Sequence, residues 1–157
     1  MNQNLANTKV ASSPVRWIYL TTTFFLVLTG FGQMPIFKRY YIADIPGLGW
    51  LAEFFVTHYI HYLGAIVLLA LAAYILADYL MLKRNSRRMT ASGWVRIAVL
   101  SGILVSGGLL VIRNLTGTNF TPGFIILLDI THLGLAMVFL LISLYCLIFK
   151  KHWTTER

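Results

Sequence analysis

Four long apolar stretches dominate this chain, and they leave few folds open to it. They run at about 16–35, 52–82, 94–112 and 124–149. Each reaches the roughly 20 residues a helix needs to cross a bilayer. The second is longer than needed, so it is expected to tilt or protrude. Only 11% of the 157 residues are charged, while 58% are hydrophobic. A soluble domain of this size carries about a quarter charged residues. The prediction is an all-α integral membrane four-helix bundle over 16–149. A flexible arm, 1–15, precedes it and a short tail, 150–157, follows. There is no room for a second domain, and no strong internal repeat is visible.

The basic residues sort by side. Lys9, Arg16, Lys83, Arg84, Arg87, Arg88, Arg96, Lys150, Lys151 and Arg157 fall on one side of the four spans, and Lys38, Arg39 and Arg113 on the other. Cytoplasmic flanks carry the excess of Lys and Arg, so both termini are predicted in the cytoplasm. In a bacterium the chain would sit in the inner membrane, with the loops after spans 1 and 3 facing outward. Trp17, Trp50, Trp94 and Trp153 fall near span ends, as interfacial anchors should. The net charge of +8 is confined to span ends, which argues against nucleic acid as its partner. The single cysteine, Cys146, excludes an internal disulfide and any Cys-based zinc or iron–sulfur motif. The N-terminal residues lack the pattern of a cleavable signal peptide.

Inside the apolar stretches stand three histidines: His58 and His61 in span 2, and His132 in span 4. Ionisable side chains are costly at membrane depth and mark functional positions there. His61 lies about nine residues, and His132 about eight, from the outer ends of their predicted spans. At about 1.5 Å per residue both sit roughly 12–14 Å deep, a level pair. Two level imidazoles suit axial ligation of a haem iron. An interhelical hydrogen bond is the plain alternative for either one. His58, one turn shallower, is the alternative ligand to His61, or a quinone or proton partner. Gly64, Gly107, Gly108 and Gly134 offer room for a macrocycle edge, although such glycines also serve close helix packing. Arg113, at the outer end of span 3, suits a haem propionate or a lipid phosphate. Asp129, three residues before His132, could orient that ligand or simply sit at a helix start. Asp78 and His152 read as interfacial residues near the cytoplasmic side. The outer loop carrying Lys38, Arg39 and the Pro46-Gly47-Leu48-Gly49 run is either an interfacial turn, a partner-docking surface or the rim of a quinone pocket.

The four-span layout, with His61-Tyr62-Leu63-Gly64 in span 2 and His132-Leu133-Gly134 in span 4, resembles the b-type cytochrome subunits of respiratory formate dehydrogenases, nickel-iron hydrogenases and thiosulfate reductases. The resemblance covers about residues 15–149. It implies an outer haem held by one His of each of those spans, matching His61 and His132. Better-known members hold a second haem with a His in span 1 and another about 14 residues further on in span 4. Here span 1 has no His and the second position falls on Cys146. One haem b is therefore expected. The resemblance implies an electron-transfer anchor between an outward-facing iron–sulfur or cytochrome c subunit and the membrane quinone pool, menaquinone or ubiquinone. Without an inner haem, quinone either reacts close to the outer one, near Gln33, Lys38, Arg39, His58 or Asp129, or approaches from the inner leaflet over a longer distance; the outer route is favoured. The rival readings are a haem-free quinone-binding anchor and a small transporter. The few polar groups in the inner half of the spans argue against the transporter.

Overall fold

A computed structural model describes residues 13–34 and 44–156. Among these residues are four helices long and apolar enough to cross a membrane, as the composition predicts. A span in hydrocarbon must satisfy its own backbone, and a helix does so without outside partners. Helix α1 is Ser13–Gly32. Helix α2 is Phe54–Asp78 and runs on through a π turn, Tyr79–Lys83. Helix α3 is Ala91–Arg113 and α4 is Pro122–Ile148. The predicted arm thus loses its last three residues, 13–15, to α1. Residues 1–12, with Lys38 and Arg39, lie outside the described residues.

The chain divides into two compact units, residues 1–82 and 83–157. The first is the hairpin of α1 and α2, and the second is the hairpin of α3 and α4.

In the first hairpin the described part of the connection is a built turn. The Leu48 N–H bonds to the Ile45 carbonyl at 2.9 Å, and Gly47 takes a φ of 88°, a left-handed value that glycine adopts without strain. A single 3-10 turn, Gly49–Ala52, leads into α2. Its Leu51 is buried, and both its side chain and its carbonyl lie 3.3 Å from where a Cβ on Gly32 would stand. The turn therefore seats on the end of α1 at Gly32, which has no side chain to hold it off.

The second hairpin is fastened at the opposite end from its connection. Strands β1, Arg87–Met89, and β2, Thr154–Glu156, pair antiparallel, with Arg88 opposite Thr155. Residues 154–156 of the predicted tail thus pair with the segment before α3. Helix α3 starts on Thr90, whose Oγ1 accepts the Gly93 N–H at 3.0 Å, a standard N-cap that satisfies one orphan donor. Helix α4 begins with Pro122 in its first turn, where a missing N–H costs nothing. It ends with Lys150 at φ 50° and a 2.8 Å bond from the Lys151 N–H back to the Cys146 carbonyl. That left-handed cap turns the chain so that the Lys151 carbonyl accepts Arg96 Nη2 at 2.7 Å. The Arg96 guanidinium, buried, also lies 4.6 Å over the Trp153 ring.

Candidate functional site

Each hairpin places one of the two candidate ligands on its second helix and a hydroxyl opposite it on its first. In the first hairpin His61 Nδ1 is 3.0 Å from Thr29 Oγ1. In the second, His132 Nδ1 is 2.9 Å from Ser106 Oγ. Both hydroxyls are buried. A hydroxyl has one proton and two lone pairs. Thr29 directs its proton to the Phe25 carbonyl at 2.7 Å, and Ser106 directs its proton to the Gly102 carbonyl at 2.8 Å. Each oxygen keeps lone pairs that can accept from Nδ1, and the imidazole tautomer that uses them carries its proton on that nitrogen. With the proton on Nδ1, the ring lone pair is on Nε2. This is the tautomer a metal-binding histidine needs, with the second nitrogen held by a hydrogen bond that fixes the ring.

A glycine follows each hydroxyl and lies against the ring. A Cβ on Gly30 would stand 3.5 Å from His61 Cε1, and one on Gly107 would stand 3.1 Å from His132 Cε1. Gly107 was among the glycines expected at the site, whereas Gly30, Thr29 and Ser106 were not. The signal was a Thr-Gly or Ser-Gly pair on the first helix of each hairpin. Aligning the second helices on the two histidines also matches Ala65 with Ala136, Val67 with Val138, Leu69 with Leu140 and Tyr74 with Tyr145. This partial repeat becomes visible once the hydroxyl contacts are known.

The other expected glycines do different work. Gly64 receives Leu26 of α1, with Cγ 3.1 Å from the position of its missing Cβ, so its size serves the helix contact. Nothing lies within 4 Å of that position at Gly108 or Gly134. His61 is seven residues from the start of α2 and His132 is ten from the start of α4.

Asp129 is held by Arg113, whose Nη1 is 3.4 Å from each carboxylate oxygen. The two residues expected to serve different groups thus form one exposed pair across the second hairpin. The side chain that meets His132 at Nδ1 is Ser106 rather than Asp129.

His58 has a different setting from its neighbour one turn away. Its Nδ1 is 3.2 Å from Gln33 Oε1, its ring stacks on Phe54 at 5.1 Å and 21°, and Tyr62 lies tilted beside it at 4.3 Å. Gln33 and His58, two of the five residues expected around a quinone, are therefore brought together in the first hairpin. Asp129 belongs to the second.

Among the described residues no three His, Cys, Asp or Glu side chains gather to hold a metal ion. A metal bound by protein ligands alone needs about four. A haem iron brings four nitrogens of its own and asks the protein only for axial ligands. Comparison with protein-family models, curated proteins and solved structures gives no match for this chain.

Proposed function

We propose that this chain is a mono-haem cytochrome b membrane anchor, in which His61 and His132 would hold the haem iron. It passes electrons between an outward-facing iron–sulfur or cytochrome c subunit and the quinone pool of a bacterial inner membrane. Both termini lie in the cytoplasm. The observation that carries this reading is the repeated hydroxyl–imidazole–glycine arrangement. The two hairpins each hold one imidazole at Nδ1 against a buried hydroxyl, with a glycine against the ring. A chance interhelical hydrogen bond explains one such histidine, but not the same arrangement twice.

Bound there, haem supplies a one-electron carrier whose potential depends on its axial ligands and their hydrogen bonds. The chain's own residues do the positioning. Thr29 and Ser106 set ring orientation and raise the basicity of Nε2 by accepting at Nδ1. Gly30 and Gly107 let each ring lie close to the facing helix. The parallel settings also separate His61 from His58: His61 shares the hydroxyl partner of His132, while His58 is held by an amide and two aromatic rings. Hence His61 is the ligand in this reading.

A reduced-minus-oxidised optical spectrum of the purified chain tests the proposal. A b-type α band is expected, lost in His132→Ala and retained in His58→Ala. Absence of the band in the wild-type protein would favour the haem-free quinone-binding anchor.

A further inference from the structure

We infer that Gln33 and His58 form the head-group site for a quinol or quinone in the first hairpin. The choice of ligand class rests on the electron-transfer reading, but the geometry asks for such a group on its own account. Gln33 Nε2 is buried and has no hydrogen-bond partner among the described residues. A buried amide left without an acceptor costs about 1–3 kcal/mol, so the position calls for an incoming oxygen. The amide is not free to turn and hide its N–H groups, because its Oε1 is engaged by His58 Nδ1 at 3.2 Å. An amide oxygen only accepts, so His58 donates from Nδ1 and carries its lone pair on Nε2.

The site thus presents one donor, Gln33 Nε2–H, and one acceptor, His58 Nε2. A quinol hydroxyl matches both, since it accepts from the first and donates to the second. A quinone carbonyl matches the first alone. The flat head group also finds aromatic surface. Phe54 stacks on the His58 ring, Tyr62 flanks it, and both Phe54 and Phe55 are exposed, with Phe55 among the most exposed apolar residues of the helix. A few polar groups set in apolar and aromatic surroundings are the usual make-up of a small-molecule site. His58 stands three residues before His61, about 4.5 Å along the helix. A head group there is next to the proposed ligand and needs no path along the membrane.

The test titrates the purified full chain with a fluorescent hydroxyquinoline N-oxide, a quinone analogue, and reads quenching of its emission. Wild type should bind saturably. Gln33→Met removes the orphan donor at nearly constant size, and His58→Asn keeps a donor where Nδ1 was while removing the acceptor at Nε2. Each should weaken binding at least tenfold while the optical spectrum of the ligated iron is unchanged. Equal affinity in wild type and both variants overturns the proposal. Should Gln33→Met fail to fold, His58→Asn decides alone by the same criterion. The two readings fail separately: a missing α band removes the haem but leaves the titration to be read. An intact α band with unaltered analogue binding removes only the head-group site.

Discussion

The two hairpins solve one problem with interchanged parts. At the histidine they agree: a buried hydroxyl, then a glycine, on the first helix, facing an imidazole on the second. One turn further along the second helix they are mirror images. In the first hairpin Gly64 receives Leu26, and in the second Leu135 enters the space at Gly102, so glycine and leucine have changed helices. The packing requirement is that one small and one large residue meet at this level, which lets the backbones approach. Which helix carries which is free. The histidine requirement is stricter, because the ring must be on the helix that aims it and the hydroxyl on the helix that holds it.

The hairpins also differ in how they are fastened. The second has a two-stranded ribbon and a buried arginine at its open end, away from the connection. The fastening described in the first is at the connection itself, where Leu51 seats on Gly32.

The largest effect should come from the ligands themselves. His61→Ala and His132→Ala should each abolish the α band. A protein that loses it from only one of the two changes would show that the hairpins are not equivalent. Next comes the fastening of the second hairpin. Arg96→Ala removes a charged hydrogen bond to the Lys151 carbonyl and a ring contact with Trp153. These are worth about 2–4 kcal/mol together. Thermal unfolding in detergent should fall by several degrees with the α band intact in the folded protein.

The hydroxyls should matter less and alike. Thr29→Val and Ser106→Ala remove the hydroxyl that faces Nδ1 of each ring, at about 1 kcal/mol each. Both should shift the haem midpoint potential, whereas Thr29→Ser and Ser106→Thr should restore it. Redox titration reads this directly, and a shift in one hairpin alone would break the parallel. The smallest effect is expected at the glycines. Gly107→Ala puts a methyl group 3.1 Å from His132 Cε1 and should broaden or shift the α band. Gly30→Ala, at 3.5 Å, meets ordinary contact and should leave the spectrum unchanged.

The four spans were legible because a bilayer demands length and apolarity, and both are local. Their ends were less so: predicted span 1 began three residues after α1 does, and predicted span 2 took in the last residue of the 3-10 turn and most of the π turn that flank α2. Cys146 and the absence of His from span 1 could be read directly, and they limit the candidate ligands whatever the fold. The ribbon between residues 87–89 and 154–156 could not be read, because three-residue strands carry no usable period and their partners lie more than sixty residues apart.

By itself the sequence determined that this chain places four apolar helices and three histidines among them, because composition and spacing along a helix are properties of neighbouring residues. Only the tertiary structure decided that Thr29 holds His61, that Ser106 holds His132, and that His58 goes with Gln33. The physical reason is that these helices are apolar on every side. A soluble helix shows its buried face as a stripe. A membrane helix has lipid where the stripe would end, so its rotation against a neighbour is set by packing, and with it the partner each histidine meets.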